Sequence, residues 1–207
     1  MRNTIKNALL SLFFYSVSAF GISLSIKASI GVSAFNAMNL SVSEAIHVKV
    51  GTVTSIMNLA FLLGYIILSR FRYPWKYVLQ AVSTLLFGTL INFFTYTLLH
   101  SLELSSYGLR VAVIAIGTVI GGLAVGMIIR YNVLTFPIES FCLEVEARSK
   151  ISFAALRYGA DGFFLLTSVL ISWTQGLPLF IREGTVINML LLTASMNFIK
   201  RKLPVRA

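Results

Sequence analysis

Of the 207 residues, 57% are apolar and 12% charged, with a mean hydropathy of +0.85, which excludes an ordinary soluble domain carrying about 25% charged residues. The formal net charge of +10 would suit a nucleic-acid binder. However, the Lys and Arg residues sit in short loops and towards the ends, as they do in membrane proteins oriented by cytoplasmic cations. A single cysteine, Cys142, excludes an intramolecular disulfide.

In chain order, six apolar segments are long enough to cross roughly 30 Å of hydrocarbon. They run at about Ala8–Ile26, Val50–Leu68, Tyr77–Leu99, Val111–Ile129, Ile151–Trp173 and Leu177–Ile199. The first four contain no Asp, Glu, Lys or Arg, whereas the last two do. The basic start and the apolar stretch after it offer no small-x-small cleavage site, so the first segment reads as an uncleaved span. Six spans leave little room for a soluble domain, and residues 1–207 are predicted to form one integral membrane domain.

One stretch occurs twice. Ile26-Lys27-Ala28-Ser29-Ile30-Gly31-Val32-Ser33-Ala34-Phe35-Asn36-Ala37 has a counterpart 103 residues later in Ile129-Arg130-Tyr131-Asn132-Val133-Leu134-Thr135-Phe136-Pro137-Ile138-Glu139-Ser140. Each copy places a cation after a long apolar segment, then turn formers, then an amide or acid near the start of a short run. The same offset carries Asn58 onto Asp161; at an offset of 96, Gly88-Thr89-Leu90-Ile91-Asn92 returns as Gly184-Thr185-Val186-Ile187-Asn188. The short runs, Ser33–His47 and Pro137–Arg148, cannot cross a bilayer. Pro137 suits a first helical turn, Ser33 or Thr135 could cap, and Asn36 or Glu139 then falls where the helix dipole favours it. Each run is either an interfacial helix or a half-helix dipping into the bundle.

With the N-terminus inside, twelve Lys and Arg residues fall in cytoplasmic parts and three, Lys27, Lys49 and Arg110, on the other side; Arg157 and Arg182 lie within segments. Both termini are therefore expected in the cytoplasm. Three spans per unit turn the second unit upside down. The predicted fold is an all-α membrane protein, six transmembrane helices in two inverted three-helix repeats of about 8–100 and 108–200, each with a short amphipathic or half-helix after its first span.

Arg157 and Asp161 lie four apart on one face of the fifth segment. Counted from Ile151 at 1.5 Å per residue they sit about 9 and 15 Å deep. Ionisable groups at that depth serve either a solute or coupling site or a self-neutralising structural pair. Arg182 and Glu183 are expected in the second turn of a helix opened by Pro178, pointing about 100° apart, so that each seeks a partner elsewhere, Asp161 being a candidate for Arg182. Glu139 draws notice because Asn36 occupies its matching position, and Asn58 because it matches Asp161. Glu144 and Glu146 read as a solvated face, Lys27 and Arg130 as interface anchors. Gly117, Gly121, Gly122 and Gly126 give small-xxx-small spacing for close helix contacts. No phosphate-binding loop, metal-ligand cluster or nucleophile–His–acid constellation is readable, which predicts no cofactor, no metal and no enzyme.

The pattern Gly21-Ile22-Ser23-Leu24 followed by Ala28 to Ala37 resembles the YczE/YyaS/YitT-type bacterial integral membrane proteins. So do Val50-Gly51-Thr52, Leu79-Gln80 with Phe87-Gly88, and Arg182-Glu183-Gly184-Thr185. Where that family shows Pro, an aromatic and Asp, this chain has Ala34, Phe35 and Asn36, and Asn92 stands for another family acid, which removes a titratable group at both places. The resemblance implies a six-span protein of the bacterial inner membrane, of transporter type. The function expected is transport or binding of a small solute at a polar site between the repeats, formed among Asp161, Arg157, Glu139, Arg182, Glu183, Asn36 and Asn58. The alternative is a non-transporting scaffold assisting another membrane complex. Expected partners are the lipid bilayer, a small solute, and a second copy or a membrane complex, with no nucleic acid. Reporter fusions check the orientation: a periplasmic reporter is expected to be silent at Lys200 and active within Ser101–Gly108, and activity at Lys200 would overturn it.

Overall fold

The computed structural model describes residues 2–131 and 135–202. Asn132, Val133 and Leu134 of the second repeated stretch, and the cation Arg206, lie outside the described residues. Among the described residues every regular element is a helix. They are α1 (Arg2–Ala28), α2 (Ala34–Ile46), α3 (Val50–Leu68), α4 (Pro74–Phe93, continued by one π-helical turn at Phe94–Leu98), α5 (Tyr107–Tyr131), α6 (Pro137–Glu146), α7 (Phe153–Gln175) and α8 (Glu183–Lys202). The short helices α2 and α6 start 103 residues apart, as do α3 and α7.

Five helical stretches, Leu9–Ala28, Val50–Leu68, Pro74–Leu98, Tyr107–Tyr131 and Phe153–Gln175, are long and apolar enough to cross a membrane. The chain is thus a multi-pass membrane protein. The sixth expected segment differs from its prediction. Pro178 does not open it: Gly176, left-handed at φ 65°, ends α7, and the chain runs without helix to Glu183. Partners elsewhere hold this link. Ser172 Oγ donates to the Pro178 carbonyl at 3.2 Å, Val32 N–H donates to the Phe180 carbonyl at 3.3 Å, and Gly184 N–H donates to the Ile30 carbonyl at 2.8 Å. Gly31 beside it has φ +113°, and a Cβ there would lie 2.9 Å from the Thr185 nitrogen, so the residue must be glycine. What remains for α8 carries Glu183 at its first residue and Lys202 at its last, and it is not among the five.

The core of the bundle is the crossing of α1 and α5. A Cβ on Gly21 would fall 2.5 Å from the Gly117 carbonyl, and one on Gly117 2.7 Å from the Gly21 carbonyl, so the two backbones touch. The opposite face of α5 takes α8: Gly122 meets Leu192 and Ser195, and Gly126 meets Ile199. Within α5, Gly117 thus serves α1, and Gly122 and Gly126 serve α8. The short helices pack crosswise, α2 on α7 and α6 on α3. Ser41 Oγ bonds the Ser168 and Ser172 hydroxyls at 2.8 and 3.3 Å, and Phe141 of α6 covers Gly64 and Phe61 of α3. Residues Asn36 to Ser41 are buried without a break, so the first half of α2 has protein on every side rather than the one wet face of an interfacial helix, while Glu44 and Ile46 near its end are exposed. On α6, Pro137, Ile138, Ser140 and Cys142 are buried. Thr135 does not cap α6, because Phe136 occupies that place; its hydroxyl instead meets Ser140 Oγ at 2.7 Å.

One feature separates the first four helices from the last four. Between α3 and α4, a Cβ on Gly51 or Gly88 would run into the other residue's backbone, and Gly51 N–H donates to Asn92 Oδ1 at 2.8 Å while Asn92 Nδ2 donates to Thr52 Oγ1 at 3.0 Å. That seam is closed. Among the described residues there is no comparable packing between α7 and α8. Ala154, which stands 103 residues after Gly51, is exposed, and Gly159 and Gly162 have open space where a Cβ would lie. Asn188, the echo of Asn92, turns to α5 and donates to Thr118 Oγ1 at 3.1 Å.

Gly51→Ala and Gly88→Ala are expected to cost about 1–3 kcal/mol each through overpacking, a fall of several degrees in Tm at about 2–4 °C per kcal/mol. Gly159→Ala is expected to leave Tm unchanged or raise it slightly. Thermal unfolding of the three variants in detergent checks the seam, and equal behaviour would deny it.

Candidate functional site

A cavity of about 120 Å³ lies beside the α1–α5 crossing, walled by both sets of helices. Its lining pairs positions 103 residues apart: Ser18 with Gly121, Ile22 with Val125, Ser33 with Phe136, Phe35 with Ile138, and Asn36 with Glu139. The second repeated stretch therefore reaches the cavity through Phe136, Ile138 and Glu139, and the first through Ser33, Phe35 and Asn36. The long helices add Asn58, Phe87, Arg157 and Asn188.

Two of these side chains carry charge. Glu139 stands in the first turn of α6, where the helix N-terminus favours an acid. Its Oε2 is buried without a hydrogen-bond partner. Arg157 projects from α7 one turn before Asp161, and its Nη2 approaches Asp161 Oδ1 at 3.5 Å, each side chain 30% accessible. Its other terminal nitrogen, Nη1, is likewise buried and unpartnered. Buried polar atoms in proteins are nearly always bonded; of the six without a partner among the described residues these two are the ones on the cavity wall, and an unpartnered acid beside an unpartnered guanidinium nitrogen there marks a site rather than a packed core. Burial pushes the Glu139 carboxyl up; the Arg157 guanidinium and the helix-terminal N–H pull it down, and Asp161 adds to the rise.

Neutral polar groups complete the wall. Asn58 Nδ2 donates to the Thr54 carbonyl at 3.0 Å, which leaves its side-chain oxygen unengaged by the amide. Asn36 is buried. The apolar wall is aromatic: Phe136 packs on Tyr15 and Phe87 with ring centroids 4.6 and 5.3 Å away, and Phe35 on Phe164 at 5.2 Å. Below it, Gln80 of α4 holds the start of α6 in place, donating to the Thr135 carbonyl at 2.9 Å and to Ser140 Oγ at 2.7 Å.

Of the residues singled out from the sequence, Glu139, Arg157, Asn36 and Asn58 meet at the cavity. Asp161 does not line it; it sits behind Arg157 and neutralises it. Because α7 starts at Phe153 rather than Ile151, Arg157 and Asp161 lie about 6 and 12 Å along the helix, not 9 and 15. Arg182 and Glu183 are elsewhere, and two expectations about them fail. They do pair, Arg182 Nη2 to Glu183 Oε1 at 3.1 Å, because Arg182 precedes α8 and escapes the helical angle between neighbours. Arg182 does not reach Asp161: its Nη1 donates to the Ser29 carbonyl at 3.4 Å, and Glu183 accepts from the Tyr107 hydroxyl at 3.0 Å. Sequence reasoning missed Phe35, Phe87, Phe136, Ser18 and Thr118. Phe35 and Phe136 stand in the repeated stretch at positions next to those chosen, and that adjacency was the available signal.

The chain belongs to a family of unknown function, DUF6198, whose model matches residues 5–201. No curated protein and no solved structure matches it.

Asp161→Asn strips Arg157 of its counter-charge on an apolar helix and is expected to cost about 1–3 kcal/mol, less than a fully buried pair because both groups are partly accessible. Glu144→Gln removes the Arg148–Glu144 pair at 2.8 Å on the exposed end of α6, and such a helical pair is worth only about 0.3–0.5 kcal/mol. Parallel thermal melts should therefore rank Asp161→Asn well below Glu144→Gln, and a reversed order would mean that Asp161 does not hold Arg157.

Proposed function

We propose that this chain is a small-solute membrane transporter, or the solute-binding subunit of a larger membrane machine, with the cavity around Glu139 and Arg157 as its site. The observation that carries this reading is the pair of unpartnered charged atoms, Glu139 Oε2 and Arg157 Nη1, at a cavity to which both repeated stretches contribute. Solute sites of transporters built from inverted repeats lie at the repeat interface, fed by short helices that end inside the bundle. The matched lining positions and the buried α2 support that architecture here, with α8 as the sixth crossing and both termini in the cytoplasm of a bacterial inner membrane. The resemblance to YczE/YyaS/YitT-type proteins agrees with it.

The seams favour movement over static binding. In this reading the closed α3–α4 seam and the open α7–α8 seam are the two ends of one transition, and exchanging them would expose the cavity to the other side. A non-transporting scaffold is the rival. It would gain nothing from unbonded charges at a central cavity, where a solid apolar core is more stable.

Gly121 offers a clean test, since a Cβ there meets open space. Gly121→Phe is expected to fill the cavity while leaving a folded, monodisperse protein. A solute screen by thermal shift should then return compounds that stabilise the parent protein but not the plugged one. Saturation at about 100 times Kd corresponds to about 2.7 kcal/mol, several degrees in Tm. If every stabilising compound acts equally on Gly121→Phe, the cavity is not the site and the scaffold reading takes its place.

A further inference from the structure

We infer that the cavity takes a small organic ammonium cation, its charge set against Glu139 and its apolar body held among Phe35, Phe87 and Phe136. The inference rests on the cavity being the solute site and adds the chemical class of the solute.

Charge at the site is unbalanced. Glu139 and Asp161 both lie near Arg157, which is the one cation on the cavity wall among the described residues. Arg157 is already engaged by Asp161 at 3.5 Å, whereas Glu139 Oε2 has no partner. The remaining titratable groups facing Glu139 are the Tyr15 hydroxyl from α1 and the Cys142 thiol one turn along α6, neither of which brings positive charge. A buried acid left over in this way takes either a proton or a cation from outside. A divalent metal ion would need more than one carboxylate to offset its charge, and Glu139 is the single carboxylate on the wall among the described residues.

The apolar lining narrows the choice. Phe136 and Phe87 stand 5.3 Å apart at 63°, and Phe35 closes the wall on the α2 side. Aromatic faces around an acid attract ammonium groups through the ring quadrupole as well as through the counter-charge, and more strongly where water is excluded. A carboxylate solute would meet Glu139 as a like charge, and a neutral solute would leave the excess charge in place. An ammonium ion supplies the positive charge that the unpartnered Glu139 Oε2 lacks.

Three compounds of one shape separate the cases: benzylammonium, benzyl alcohol and benzoate, each titrated against the purified protein by thermal shift and calorimetry. Benzylammonium should bind at least tenfold more tightly than the other two. The preference should disappear in Glu139→Gln and all binding in Gly121→Phe. Binding of the cation should also weaken as pH falls, because protonating Glu139 removes the counter-charge. The comparison on the parent protein decides the matter even if Glu139→Gln does not fold. Equal or tighter binding of benzoate or benzyl alcohol, abolished by Gly121→Phe, overturns the ammonium class and leaves the cavity as a solute site. Silence from all three also overturns it, and the cavity then stands or falls on whether any other solute stabilises the parent protein and not the plugged one.

Discussion

The contact between the α1 and α5 backbones is the constraint on which the other helices depend. Within a bilayer, helices gain little from hiding apolar side chains from one another, and close packing with polar contacts must hold them together. Gly21 and Gly117 permit that approach. Once the two long helices touch there, the ends leaving them are fixed, and the chain passes from α1 into α2 and from α5 into α6 beside the crossing. The cavity is the space that these short helices fail to fill. Its polar edge follows from the same geometry, since Asn36 and Glu139 sit in the first turns of α2 and α6 and cannot avoid pointing towards the centre.

Hydroxyl and amide bonds do most of the remaining work between elements. Ser41 with Ser168 and Ser172, Asn39 with Thr54, Thr95 with Ser23 and Asn188 with Thr118 each join two helices through short side chains. None of these residues is charged, so the helices keep their apolar character towards lipid while satisfying one another inside. Arg157 and Glu139 stand out against this background because they are charged groups with an unbonded buried atom on the cavity wall.

Much of the architecture was readable because its signals are local. Apolar length marked five spans, a proline and an acid marked the start of α6, and the repeat at 103 residues pointed to Asn36 and Glu139 as partners in position. The i, i+4 spacing of Arg157 and Asp161 foretold their pairing. What could not be read depended on long-range placement. The link after α7 stays out of the helix because Ile30 and Val32, far away in sequence, take its hydrogen bonds, and this displaced Arg182 and Glu183 from the site. The aromatic wall was invisible for a different reason: phenylalanine is so common here, 16 in all, that nothing in its spacing singles out three residues.

The crosswise seating of the short helices has a consequence for how the chain assembles. Because α2 rests mainly on α7 and α6 on α3, each half holds polar groups, Ser41 and Gln80 among them, whose partners lie in the other. When α2 first enters the membrane, the Ser41 hydroxyl can bond back to the Ala37 carbonyl, but its partners on α7 lie 127 and 131 residues further along and are still to be made. Assembly is therefore governed by contacts of high sequence separation, the regime in which folding is slow and intermediates are exposed. The hydroxyl of Ser41 reaches its full set of partners only once α7 has been made. The helices that carry the two related stretches thus complete their hydrogen bonds across the chain.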